Sequence, residues 1–584
     1  MFSHRFDRTR IGRIERIRAD FQTLLKSARI RPIRFIRVLF AALIAILIAA
    51  CGNAYTSPAP QTLSPAPVTV HAQPLAQDDF CADHFLPQDL DHVTATDDGE
   101  VRMFEANGAG VGLGDLDNDG DLDIVLGNYD GVNSILWNEG ELRFRKQAMP
   151  IGHTRAVALV DVDADGLLDI VLTRTTGAVN YWRNQGDGEF VQEFLRGFAQ
   201  PAYVIDWADM DADGDLDAVT ASYDAGLLTD LGNSYLLNGG GGVYFHQNNQ
   251  LSFAPVGLAD EAQALAIALW DVDGDGKLDI QVGNDFAVRD NLWLQTADGW
   301  QPASPFPETS YSTMSYDLGD VDNNGRLALF ATDMKPSTTD PRVLAAWSPL
   351  MRDLWFSPEE DDPQRQENAL LLPADNGQFR NRAYERRADA TGWSWSGVFG
   401  DLDNDGQLDL YVVNGFIEYE IFNYLPNHEL VEENQALRNT GRGEFERRPD
   451  WNLGSTRSGR GMAMGDLDGD GDLDIVVNNL RGAAQLFQNQ LCGGDNLLVD
   501  LHWPSSDNVN AVGATVFVET SERRLRRDVR VTRGYLSSSV GPLHFGIPTG
   551  EDVQRIVVIW PDGAQSTVDS VDIQTNITIT RENQ

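Results

Sequence analysis

Positive charge, cysteine, long apolar runs and catalytic signatures are all scarce in this chain. Its 45 Lys and Arg face 88 Asp and Glu, a formal net charge of −43. Phosphate backbones are bound by basic patches, so this balance argues against nucleic acid as a partner. The apolar run 38–50 has 13 residues. At about 1.5 Å per residue it spans roughly 20 Å, short of the ~30 Å hydrocarbon core of a bilayer. Three cysteines, Cys51, Cys81 and Cys492, leave room for one internal disulfide at most. Nine histidines are scattered, and no His-Glu-x-x-His, Gly-x-Ser-x-Gly or Gly-x-x-x-x-Gly-Lys motif occurs. Zinc-protease, serine-hydrolase and phosphate-loop chemistries therefore have no signature here.

What is abundant is one acidic phrase, Asp-x-Asp-x-Asp-Gly-x-Leu-Asp. It occurs at 115–123, 161–169, 209–217, 271–279, 401–409 and 466–474, with a degenerate copy at 320–328. Carboxylates this dense repel one another unless a cation lies among them, and hard oxygen donors around a tight glycine turn suit Ca²⁺. The candidate ligands at positions 1, 3, 5 and 9 are Asp115, Asp117, Asp119 and Asp123; Asp161, Asp163, Asp165 and Asp169; Asp209, Asp211, Asp213 and Asp217; Asp271, Asp273, Asp275 and Asp279; Asp401, Asp403, Asp405 and Asp409; and Asp466, Asp468, Asp470 and Asp474. Position 6 is always Gly, which takes φ > 0 without a Cβ clash. Position 7 varies (Asp121, Leu167, Asp215, Lys277, Gln407, Asp472), as expected where only a backbone carbonyl serves the ion. Position 8 is always Leu, which a calcium ion does not require and a hydrophobic core does. A turn alone accounts for Asp and Gly in any one copy, but not for Gly and Leu held through six complete copies. The expectation is about six structural Ca²⁺ ions. The copy at 320–328, with Asn324, Arg326 and Ala328, is expected to have lost its ion.

An EF-hand would place Glu at the twelfth position, where Leu126, Leu172 and Val477 stand. Short β-branched runs follow instead and read as buried strands. The copies start 46, 48, 62, 49, 81 and 65 residues apart. A period near 45 with four short strands per unit is the mark of a β-propeller, and seven copies predict seven blades. The long gaps at 222–262 and 331–390 read as insertions on loops, where binding surfaces commonly lie. An Asn, a Gly turn and an aromatic recur downstream of most loops, as in Asn184 to Phe190 and Asn439 to Phe445, and read as an outer hairpin.

These loops resemble the FG-GAP or VCBS repeats of integrin α-subunit propellers. Ala331-Thr-Asp-Met334, the stretch from Thr391 to Asp401 and Val413-Asn-Gly-Phe416 narrow the match. Asn510-Ala-Val-Gly513, Gly534-Tyr535-Leu-Ser, Leu543-His544-Phe545-Gly546 and Trp560-Pro561-Asp562-Gly563 resemble an ASPIC/UnbV domain. A propeller followed by that domain is the arrangement of the cartilage acidic protein family and its bacterial relatives. The resemblance implies an all-β fold: a seven-bladed propeller with Ca²⁺-binding hairpin loops over 80–492 and a small C-terminal β-sandwich over 493–584.

The first 37 residues hold 11 Lys and Arg against 3 Asp and Glu. With the short apolar run they read as a signal peptide, 1–50. Ile48-Ala-Ala-Cys51 resembles a bacterial lipobox, which implies lipidation at Cys51 and a membrane-anchored protein facing the periplasm or cell exterior. Residues 51–79 read as a Pro-rich tether with little capacity to fold. Cys81 precedes the first unit and Cys492 follows the last, so a disulfide between them would clasp a ring at its seam. Arg523, Arg524, Arg526, Arg527, Arg530 and Arg533 make one basic strand. The expectation is a solvated edge strand protected by charge, and the alternative a docking face for the protein's own acidic ring or an acidic partner. His544 and the aromatics Trp207, Trp393 and Trp395 read as packed residues. The functional expectation is a binding or adhesion protein for an extracellular protein or glycan, with no catalytic residues. A Ca²⁺-dependent polysaccharide lyase or hydrolase, or an envelope scaffold, are the alternatives.

Overall fold

The computed structural model describes residues 64–582 apart from 77–80, 97–98, 150–151, 233–240, 287, 355–361 and 375–377. The stretch 1–50 expected to be a signal peptide, and Cys51, lie outside the described residues. Among those described, the only regular elements of any length are strands and two helices, Asp224–Leu231 and Pro341–Leu354. No helix is long and apolar enough to cross a membrane.

Between residues 86 and 488 seven sheets follow one another, each built on four antiparallel strands. The first is extended to six strands by Thr532–Arg533 and Ser537–Ser539, the latter paired in parallel, and the sixth to five by Met334–Lys335. Their first strands are Val111–Gly114, Thr154–Val160, Val204–Ala208, Ala264–Trp270, Tyr316–Gly319, Gly392–Gly400 and Gly459–Gly465. Each first strand packs beside the next, and the seventh packs back on the first. Six of these sheets take their four strands in chain order. The seventh takes three, and its outer strand, Leu86–Val93, comes from the start of the chain and pairs with Ala483–Gln488. Cys81 and Cys492 are joined beside this closure, 411 residues apart in sequence.

Each acidic loop links the first strand of a sheet to its second. In all seven copies the ninth residue opens the second strand, as Asp123 does in Asp123–Leu126, Asp409 in Asp409–Asn414 and, in the degenerate copy, Ala328 in Ala328–Ala331. Leu at position 8 packs on the neighbouring sheet. Leu122, Leu168 and Leu408 reach over Gly465, Gly114 and Gly319, where an added Cβ would lie 2.7–2.8 Å from their methyls. The antiparallel order places the loops between second and third strands at the opposite end. The three long insertions, at 222–242, 332–368 and 415–434, are loops of that kind.

Two further sheets enclose a separate apolar core at the C-terminus, with Leu497, Val516, Phe545, Ile556 and Ile577 buried between them. One has the order Arg524–Asp528, Thr515–Thr520, Val553–Ile559, Gln565–Asp569. The other is mixed, because Asp495–His502 runs parallel to Thr575–Arg581. The tether expected over 51–79 is corrected here for its described part. Val68–Pro74 is a strand, paired antiparallel with Thr575–Arg581 from Val68–Arg581 to Pro74–Thr575. Its side chains are mostly exposed, so backbone hydrogen bonding to an open sheet edge orders it. Pro74 falls at the strand's end, where a missing N–H is tolerated.

Candidate metal loops and the docked C-terminal domain

The loops share one hydrogen-bond plan. In the first, the Asp115 carboxylate accepts the N–H groups of Asp119 (3.1 Å) and Gly120 (3.0 Å), folding the turn around it. Gly120 sits at φ 101° and Gly166 at φ 87°, conformations that explain the fixed glycine. Asp123 accepts from Leu116 N–H (3.0 Å) with one oxygen and from Asn138 N–H (2.8 Å) with the other. Asp169 does the same with Val162 and Asn184, and Asp474 with Leu467 and Asn489.

Positions 1, 3 and 9 converge. In each of the sets Asp115/Asp117/Asp123, Asp161/Asp163/Asp169, Asp209/Asp211/Asp217, Asp271/Asp273/Asp279 and Asp401/Asp403/Asp409, one carboxylate oxygen per residue lies within 4.8 Å of the others. Burial, with neighbouring carboxylates adding to it, pushes Asp123, Asp169 and Asp217 up to about 7 and Asp161, Asp209 and Asp279 up to about 6. One buried oxygen on each of Asp163, Asp209 and Asp403 has no hydrogen-bond partner. Unpartnered oxygens inside a ring of carboxylates fit a hard divalent cation with oxygen ligands. The Leu167 and Lys277 side chains play no part in such a set, where only their carbonyls would serve. Asp119, Asp165, Asp213, Asp275, Asp405 and Asp470 at position 5 accept the position-7 N–H in their turns, for example Asp165 from Leu167 at 3.0 Å and Asp405 from Gln407 at 3.0 Å.

The copy at 320–328 differs. Ala328 removes the third carboxylate, and Arg386 Nη2 donates to both oxygens of the position-3 residue Asp322, at 2.7 and 2.9 Å, as Arg183 and Arg438 pair with Asp163 and Asp403 in two complete copies. Arg386 carries no repeat signature in the sequence, since it enters from the chain leading to the next sheet.

The recurring Asn that reads as an outer-hairpin marker stitches sheets together. Asn184 Nδ2 donates to Leu168 O in its own sheet (3.0 Å) and to Leu116 O in the preceding one (2.8 Å). Asn439 bonds Val321 O in the same way, Asn489 bonds Leu402 O, and Asn138 bonds Leu467 O, joining the first sheet to the seventh.

The expectation of a solvated arginine strand is corrected. Of the six arginines only Arg524 is exposed. Arg523 donates to Asp405 O (3.0 Å), Arg526 to Gly325 O (2.8 Å) and Arg530 to Leu318 O (2.6 Å). Arg533 and Arg530 pair with Asp317 at 2.9 and 3.2 Å, and Asp317 is wholly buried. Burial opposes the Asp317 charge, but the two guanidiniums more than offset it and hold its carboxyl below the usual range. Ser506 Oγ donates to Gly214 O and Asn496 Nδ2 to Asp470 O, so the turns of several loops carry the domain.

Beyond the arginines, Thr532–Arg533 and Ser537–Ser539 enter among the first strands. Ser538 pairs in parallel with Gly112, Gly534 N–H donates to Tyr316 O (3.0 Å), and Leu536 O accepts from Val157 N–H (3.0 Å). Tyr535 is buried against Trp395 with centroids 5.1 Å apart, and its hydroxyl donates to Asn107 O (3.1 Å). From the other side, Arg155 and Arg460 bind the carbonyls of Phe104, Gly108 and Ala106. Trp207, Trp393 and Trp395 are buried, as expected of packed residues. His544 is also buried, without hydrogen-bond partners on its ring.

A family model described as ASPIC and UnbV matches residues 504–584. A model described as FG-GAP-like repeat matches 115–172, 161–220, 271–331 and 427–477. Comparison with curated proteins returned no match. Among solved structures the chain resembles BBS1N in complex with ARL6DN, at TM-score 0.38 and 9% identity over 66% of this chain and 94% of that one. It also resembles the Photorhabdus luminescens Tc holotoxin pore (TM-score 0.31, 13%, covering 84% and 18%) and the V. cholerae biofilm matrix protein Bap1 (TM-score 0.28, 12%, covering 84% and 65%). At these TM-scores none of the three bears on function. The chain is therefore an all-β protein of FG-GAP-like repeats ending in an ASPIC/UnbV domain.

Proposed function

We propose that this protein is an exported, calcium-stabilised seven-bladed β-propeller that binds an extracellular protein or glycan. The convergence of three carboxylates in five of the acidic loops, with unpartnered oxygens in three of these, carries the calcium reading. About six ions would each neutralise a loop and pin the first two strands of a blade. The sheet order and the cycle of first strands support seven blades.

Binding is assigned to the face opposite the acidic loops. The acidic-loop face carries the C-terminal domain, and Tyr535 and its neighbours fill the centre. The opposite face bears the three insertions and the exposed Leu228, Phe286, Leu344, Tyr424 and Val431. The basic leader, short apolar run and Cys51 support export and lipid attachment.

Calorimetric titration of chelated protein tests the metal reading. About six equivalents of Ca²⁺, with a large rise in melting temperature, are expected, since a ligand that binds only the native state stabilises it by mass action. A melt indifferent to EDTA in protein shown to be metal-free would end it. Glycan-array and pull-down binding with and without Ca²⁺ tests the ligand class.

A further inference from the structure

Residues 380–387 hold four arginines and one glutamate in a chain with almost twice as many acidic as basic residues. The structure gathers them around an open groove of about 720 Å³ beside the degenerate loop, between the outer strand Phe379–Asn381 of the fifth sheet and the outer turn of the sixth. Arg380, Arg382 and Arg386 line it, together with Asp322, Glu385 and Gly443. Arg387 and Arg442 adjoin lining residues in the chain.

These guanidiniums are committed to different degrees. Arg386 is held by Asp322 and forms the floor, with its side chain 14% exposed. Arg382 pairs with Glu385 at 3.0 Å and Arg387 with Glu444 at 2.9 Å, both on the surface, where such pairs contribute little and exchange readily. Arg380 and Arg442 have no side-chain partner among the described residues. Tyr384, between two lining residues, is 75% exposed, with no ring contact to hold it. The sector is thus one where an acidic loop has lost a carboxylate and positive charge has collected, with Tyr384 exposed in the same stretch of chain.

We propose that this groove binds an acidic polysaccharide, its arginines taking the anionic groups and Tyr384 stacking on a sugar ring. Guanidinium forks match planar or tetrahedral oxyanions in bidentate geometry. A chain of regularly spaced charges can meet several of them at once. The inference rests on the reading of this chain as a binding protein and names an acidic polysaccharide as a ligand at a second place, on the acidic-loop side rather than on the face that bears the insertions.

The test uses the whole protein in calcium-containing buffer at low and physiological salt. Binding of oligogalacturonate and of dextran sulfate oligosaccharides, which separate carboxylate from sulfate as the source of charge, is measured by calorimetry, with neutral dextran as control. At least one acidic glycan is expected to bind and dextran not to. R380E/R442E and Y384A are each expected to weaken binding about tenfold or more, with the wild-type melting temperature retained. Absence of binding by both acidic glycans, undiminished binding by the variants, or equal and equally sensitive binding of single-stranded DNA would each overturn the proposal. If the variants keep a glycan or protein ligand found by array or pull-down, only the groove assignment fails and the binding reading stands.

Discussion

Asp169 opens its strand with both oxygens engaged by N–H groups, and still burial and Asp163 push its carboxyl up to about 7. Such a group prefers its proton until a cation arrives, which gives the loops a pH dependence. Between about pH 4, where an exposed Asp titrates, and pH 7, the metal-free folded state holds protons that the unfolded chain has lost. Its stability therefore falls as pH rises from about 4 and levels off above 6 to 7, the values set by Asp161, Asp209, Asp279, Asp123, Asp169 and Asp217. With Ca²⁺ the carboxylates are held charged. The melting-temperature gain from Ca²⁺ should then be large at alkaline pH and shrink on acidification, as scanning calorimetry with and without EDTA would show. A single Asp271→Ala is expected to remove one ion from the stoichiometry and to lower the melting temperature in Ca²⁺ while changing it little in EDTA. Loss of several ions at once would mean that the loops do not act independently.

At the scale of elements, the acidic loops were legible because their spacing, glycine and leucine obey rules within nine residues. Leu122 shows this: a residue no ion needs had to face a core, and it lies over Gly465 of the neighbouring seventh sheet. Asn184 was legible as an outer-hairpin residue, and it pairs there with Phe190, but its donation to Leu116 O of the preceding sheet was not, because that contact crosses 68 residues. The arginine strand was misread for the same reason. Charge spacing shows a basic strand, and only the docked sheets reveal Asp317 beneath it. Asp317→Asn leaves the partly buried guanidiniums of Arg530 and Arg533 without their carboxylate. It should cost about 3–5 kcal/mol, the range for breaking a buried pair from one side, and a urea melt reads it directly. A loss below 1 kcal/mol would show that water replaces the carboxylate at that interface.

At the scale of the whole molecule, two closures hold the chain's ends. The strand Leu86–Val93 completes the seventh sheet, and the bond between Cys81 and Cys492 locks it. Cys492→Ser should lower the melting temperature, with an upper bound of about 5 kcal/mol for a loop this long. Carbonyls of the loop turns also receive the C-terminal domain through Arg523, Arg526, Ser506 and Asn496. Chelation should therefore raise amide exchange in residues 532–540 as well as in the loops. Exchange confined to the loops would show that docking survives metal loss.

The sequence by itself determined the repeat, its hairpin loops, their suitability for Ca²⁺ and the all-β character, because those depend on contacts within one unit. It also placed Cys81 and Cys492 at the two ends of the repeats. Tertiary structure alone decided that residues 64–76 fold, since their strand is ordered by a partner 500 residues away. It alone decided that Thr532–Ser539 fill the centre of the sheets, that Asp317 is the partner of Arg530 and Arg533, and that Arg386 pairs with Asp322 of the degenerate loop. Each of these joins residues from distant units, and no periodicity records which surface the folded chain will bring against another.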